Sequence, residues 1–142
     1  MADAEGPVLD WLAGHEGAMA DLLRDLVNAD GGTHDKAGVD RAGRILTDFW
    51  AAHGIPFTVT PVERFGDILR ADLPGPAAGG DPRPVLLLGH RDTVFPKGEA
   101  ARRPFRISDG RGYGPGVADM KGGLVIEAFV LAAFAACGAP LP

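Results

Sequence analysis

Cysteine is nearly missing from this chain, with Cys137 the one example in 142 residues. An internal disulfide is therefore excluded, and so is a zinc site built on thiolates. Any bound metal must be held by His, Asp and Glu. Basic residues are also in short supply. Lys and Arg number 14 against 19 Asp and Glu, for a net charge of −5. Nothing in that balance attracts nucleic acid or an anionic membrane surface, since both select clustered positive charge. The densest basic group, Arg102, Arg103 and Arg106, is broken by Pro104 and Phe105 and reads as a solvated loop. No signal peptide is visible, because the opening Met1-Ala2-Asp3-Ala4-Glu5 is acidic and lacks a basic start and an apolar run. No long hydrophobic run is present either. The most apolar stretch, Leu124–Ala136, contains Glu127 and is short for a bilayer. The expectation is a cytoplasmic chain with no membrane and no nucleic-acid partner.

What remains is globular. Apolar residues make up 46% of the chain, and the length suits one domain with a core. Leu9, Leu12, Met19, Leu22, Leu23 and Leu26 recur at helical spacing over Val8–Val27, with Gly14 and Gly17 as candidate breaks. Asp35 is placed to cap a second helix through His53, with a stripe of Ala42, Ile45, Leu46, Phe49 and Trp50 and a stop at Gly54. Phe57–Val62 and Asp67–Leu73 alternate as strands, and Gly66-Asp67 between them suggests a hairpin. Pro74–Pro84 reads as a loop. Val85–Leu88 is a continuous apolar run, the pattern of a strand buried on both faces. A Gly-rich loop, Asp109–Gly116, leads to a long apolar helix over Met120–Cys137. The alternation predicts an α/β fold: a mixed, mostly parallel sheet covered by helices. Functional side chains of such sheets stand at the carboxyl ends of central strands, where His90 and Asp92 fall.

Two constellations carry chemistry. In Leu88-Gly89-His90-Arg91-Asp92-Thr93, an apolar strand runs straight into a His and an Asp two residues apart. Strand alternation points both the same way. Such a pair suits a metal-binding imidazole with a carboxylate that fixes the ring, or a plain strand-end hydrogen bond. In Gly112-Tyr113-Gly114-Pro115-Gly116-Val117-Ala118-Asp119-Met120-Lys121-Gly122-Gly123, glycines surround one carboxylate at the start of a helix. That carboxylate could bridge cations or cap the helix. His15, His34 and His53 lack partners at ligand spacing and read as surface residues.

Taken together, the two segments resemble the two early signatures of the M20 metallopeptidase family. His90 through Pro96 looks like the first and Gly114 through Gly123 like the second. Gly66-Asp67-Ile68 and Pro104-Phe105-Arg106 resemble its glutamate-carboxypeptidase-like branch. The resemblance implies two divalent metal ions, most often zinc, with His90 ligating one, Asp119 bridging both and Asp92 acting behind His90 in a catalytic, tuning role. It implies hydrolysis of a peptide or N-acyl amino acid by a metal-activated water, in a carboxypeptidase or N-deacylase manner. It also implies a cis peptide bond from Asp119 to Met120, rare outside proline. Residues 1–142 correspond to the N-terminal part of the catalytic domain. The family's Glu-Glu pair, its later ligands, its lid or dimerisation domain (and so a homodimeric parent) find no counterpart here. The closing Gly138-Ala139-Pro140-Leu141-Pro142 reads as a turn leading onward, so the expectation is a fragment inactive by itself.

Two other readings compete. His90-Arg91-Asp92 is also a kinase catalytic-loop tripeptide, but the required Asn five residues after the Asp is Lys97. A non-catalytic binding module would use Gly110, Gly112, Gly114 and Gly116 to hold an anion or a cation. Dinucleotide spacing is lacking, and Asp119 repels phosphate unless a cation intervenes.

Overall fold

A computed structural model describes residues 5–75 and 84–141. Three helices open the chain. α1 (Gly6–Ala13) carries Pro7 in its first turn, where a missing N–H costs nothing. It stops at Gly14, and α2 (Glu16–Asn28) starts after His15, so the break predicted for the first helical run falls there. Gly17 lies inside α2. α3 (Lys36–Ala52) is capped as its sequence suggests: the Asp35 carboxylate accepts the Gly38 amide at 3.1 Å, and Gly54 follows with φ +65°.

The predicted hairpin is β1 (Phe57–Thr60) paired antiparallel with β2 (Ile68–Ala71), Phe57 opposite Ala71 and Thr60 opposite Ile68. Alternation works as expected on β2. Ile68 and Arg70 face out, while Leu69 and Ala71 turn toward the core. A short helix α4 (Glu99–Arg102) precedes a second hairpin, β3 (Arg106–Ser108) with β4 (Arg111–Tyr113). Its turn is Asp109-Gly110, both at positive φ (52° and 71°), the two-residue turn whose twist matches antiparallel strands. The segment read as a Gly-rich loop is thus partly a hairpin.

α5 (Gly122–Cys137) is the centre of the molecule. It packs on α1, α2 and α3. Leu124, Val125, Ala128, Phe129 and Ala132 bury against Leu22, Leu26, Ala42, Leu46 and Trp50, with Leu69 and Ala71 at the margin. The last helix therefore covers other helices more than it covers a sheet. By composition, Val117–Cys137 is long and apolar enough to cross a bilayer, which corrects the expectation drawn from 124–136 alone. That stretch is partly buried, through the packing of α5 on α1, α2 and α3.

The expectation of an interior strand at Val85–Leu88 is not met. These residues form no strand, and Val85, Leu86, Leu87 and Leu88 are 64, 80, 45 and 82% exposed. A four-residue run buries both faces only when other strands and helices flank it. Among the described residues nothing pairs with it. The observed content is mixed helix and strand, in two antiparallel hairpins. A parallel sheet is not shown; the parallel pairing present is one bridge, Gly32 with Thr93.

Candidate metal centre

His90, Asp92 and Asp119 come together although 29 residues separate the first from the last. They line one groove of about 300 Å³ with Thr93, Phe95, Gly116 and Val117. The His90 side is fixed through Thr93. Its amide donates to the Gly31 carbonyl at 2.8 Å, and its carbonyl accepts the Thr33 amide at 3.2 Å. This brings Gly32 so near that a Cβ there would lie 2.8 Å from the Phe95 carbonyl oxygen. The neighbouring Thr33 hydroxyl donates to Asp92 Oδ2 at 2.5 Å.

The Asp119 side is an irregular turn, Val117–Lys121, extended at Asp119 itself (φ −131°, ψ 94°). The Asp119–Met120 peptide bond is cis, as the resemblance implies. Gly116 has φ +74°, and a Cβ on it would sit 2.6 Å from the Thr93 methyl, so the two motif segments touch there. Two amides of the turn are already engaged: Val117 donates to the Gly114 carbonyl and Lys121 to that of Gly116. Fewer amides are left for a bound anion, while the Asp119 side chain stands 86% exposed.

The imidazole lies between acceptors. His90 Nδ1–H donates to the Asp92 carbonyl oxygen at 3.0 Å, and Nε2–H donates to Asp119 Oδ1 at 2.9 Å. Asp92 Oδ1 is 3.4 Å from Nδ1, so its carbonyl is nearer the ring than its carboxylate. Filling both contacts takes the doubly protonated ring. Burial works against that charge, but the hydrogen bonds to Asp119 and Asp92 and their negative charges outweigh it, and the His90 pKa lies above its ordinary value.

The donors fit a divalent cation. Imidazole nitrogen and carboxylate oxygen are both zinc ligands. Two donors on one tetrahedral zinc lie about 3.3–3.6 Å apart, from bonds of about 2.0–2.2 Å. His90 Nε2 and Asp119 Oδ1 would spread by about half an ångström from their hydrogen bond, a small motion for an exposed carboxylate. Among the described residues, no group of three His, Cys, Asp or Glu side chains converges to hold an ion. A further acid, Glu127, is half-buried on α5, and burial pushes its carboxyl pKa up. It packs toward Gly89, where a Cβ would lie 3.0 Å from its Oε2.

Sequence reasoning missed Thr33, which lies 59 residues before its partner Asp92. It also treated His15 and His53 as surface residues. Both are half-buried around Phe129, and His15 stacks on Trp11 at 3.6 Å.

Lys121 is also buried in this region, 2% exposed. Its Nζ donates to the Ala29 carbonyl at 2.8 Å, tying the Asp119 turn to the end of α2. Burial pushes its pKa down to about 8, against a smaller opposing pull from Asp30. The folded state thus binds this proton less tightly than the unfolded chain. Stability bears the full cost below pH 8 and recovers as pH rises from about 8 toward 10.5, by at most about 3 kcal/mol. In urea titrations with a chelator present, the stability difference between wild type and Lys121→Met should move in favour of wild type from pH 7.5 to pH 10. A difference independent of pH would contradict this.

Much of this chain is similar to known proteins. Residues 86–142 match the family model of peptidase family M20/M25/M40. Carboxypeptidase G2 of Pseudomonas sp. (strain RS-16) is 38% identical over 106 residues, covering 75% of this chain and 25% of that protein. Succinyl-diaminopimelate desuccinylase of Rhodospirillum centenum is 40% identical over 119 residues, covering 78% of this chain and 28% of that protein. The chain spans about a quarter of the length of these curated relatives.

Proposed function

Because this chain is an M20-family peptidase segment, we propose that it supplies two of the metal donors of an amide hydrolase, His90 and Asp119. The observation that carries the reading is the convergence of His90 Nε2 and Asp119 Oδ1 from two distant motifs onto one groove. Residues 1–142 are read as the N-terminal part of the catalytic domain, acting in the cytoplasm. The substrate class is a peptide or an N-acyl amino acid, in line with relatives named as a carboxypeptidase and a desuccinylase.

Each residue has a stated task. Asp119, presented to solvent by its turn, would offer its carboxylate oxygens to the ions. His90 offers Nε2, which holds the proton a cation must displace. Asp92 accepts the Nδ1–H through its carbonyl and adds negative charge beside the ring. Thr33 holds the Asp92 carboxylate in place. Two bound divalent ions, zinc by donor type, would supply Lewis-acid polarisation of the scissile carbonyl and activation of water. Removal of the water proton needs a general base, and among the described residues the groove is lined by no carboxylate beyond Asp92 and Asp119.

General-base assistance is worth about 10²–10⁴-fold. The 142-residue chain, given excess zinc, is therefore expected to hydrolyse N-acyl amino acids and C-terminal peptide bonds no faster than zinc in buffer. Zinc-dependent turnover that Asp119→Ala abolishes would overturn the reading of an inactive segment.

A further inference from the structure

Arg91 stands between His90 and Asp92, yet its side chain leaves the segment on the other side. It lines a second, smaller groove with Asp40, Gly43 and Asp67. One guanidinium nitrogen donates to the Asp67 carbonyl oxygen, in the turn between β1 and β2. Asp40, Asp67 and Asp92 all place negative charge near it. The slot is shaped for this group: a Cβ at Gly43 would lie 3.3 Å from Arg91 Cζ, and one at Gly66 would lie 3.3 Å from Nη2.

The far side of the slot is itself braced. Lys36 pairs with Asp40 and Asp67, the Asp67 amide donates to Asp40 Oδ1 at 2.8 Å, and Asp67 Oδ1 accepts the Val62 amide at 3.0 Å. The start of α3 and the hairpin turn are thus locked together before Arg91 reaches them. The His90 segment needs such an anchor. Val85–Leu88, just before it, is exposed and unpaired among the described residues. Past Asp92, the chain is held by the Thr93 backbone bonds. Before that point, Arg91 ties the backbone to α3 and the hairpin turn, beside the His90 side-chain bond to Asp119.

We propose that Arg91 is a positioning residue. Anchored on Asp67, it sets the backbone at His90 and Asp92, and so aims His90 Nε2 toward Asp119. The consequence for metal affinity rests on the reading of His90 as a donor. The consequence for the imidazole does not.

The test uses the full chain and two readouts: zinc affinity by calorimetry, and the NMR signal of the His90 Nδ1–H that bonds the Asp92 carbonyl. Arg91→Met, shown folded by circular dichroism, should weaken zinc binding about tenfold and lose the hydrogen-bonded Nδ1–H signal. Arg91→Lys should restore both in part, since an ammonium can still donate to a carbonyl. A folded Arg91→Met with both readouts unchanged would overturn the proposal. Should Arg91→Met fail to fold, Asp40→Asn removes a charge facing the guanidinium without touching the site. It should speed exchange of the same N–H, and no change there would overturn the proposal. A wild-type chain that binds no zinc would refute the donor role of His90, while the N–H signal still decides the role of Arg91.

Discussion

Replacing His90 with alanine should lower the zinc affinity of this chain by at least about 100-fold, the upper range for loss of a supporting residue and so a floor for loss of a ligand. The fold should survive, because the imidazole is about half exposed, its side chain 47% accessible. Wild-type affinity should itself fall as pH is lowered, because Nε2 carries a proton that the Asp119 carboxylate holds in place. Metal and proton compete for that atom. His90→Ala should lose this pH dependence together with the affinity. Calorimetric titration of both proteins across pH 6 to 8 checks both statements. Equal affinity in the two proteins would remove His90 from the metal site.

Phe129→Ala should cost about 3–5 kcal/mol of stability. Phe129 is 1% exposed at the middle of α5. Its ring meets those of Trp11, His15, Phe49 and His53, drawn from α1, the α1–α2 junction, α3 and the end of α3. Truncation leaves a cavity that four separate side chains must close at once. Ile126, three residues earlier, is 64% exposed, and Ile126→Ala should stay within about 0.5 kcal/mol of wild type. Denaturant unfolding of the two variants gives the contrast. Similar, small losses in both would mean that α5 does not lie in the core described here.

The helices were readable in the sequence because their signals are local. Asp35 at the N-cap, the apolar stripe of α3 and Gly54 after its end lie within twenty residues and point to one answer. The first hairpin was readable from alternation, and β2 faces the way its pattern implies. β3–β4 carried its signal in Asp109-Gly110, but the strands are three residues each and the surrounding glycines masked them. Val85–Leu88 shows the opposite failure. A buried-strand pattern reports the surroundings a segment is suited to, and the described residues do not supply them.

The site divides the same way. His90, Asp92 and Asp119 could be singled out in the sequence because each stands in a motif. Thr33 and the Arg91 anchor were not, because each joins residues far apart in the chain through a backbone or hydroxyl contact. Arg91 reaches back 24 residues to Asp67, and Thr33 reaches forward 59 to Asp92. No local periodicity encodes such contacts. They follow from how the start of α3, the β1–β2 turn and the His90 segment meet.

The central claim is that His90 and Asp119 share a metal ion. It is tested most directly by anomalous X-ray scattering at the zinc edge from crystals of the chain grown with zinc. The account predicts a peak about 2.0–2.2 Å from both His90 Nε2 and an Asp119 carboxylate oxygen, with that pair opened beyond hydrogen-bond length. Zinc bound elsewhere, with the His90–Asp119 hydrogen bond intact, would contradict it.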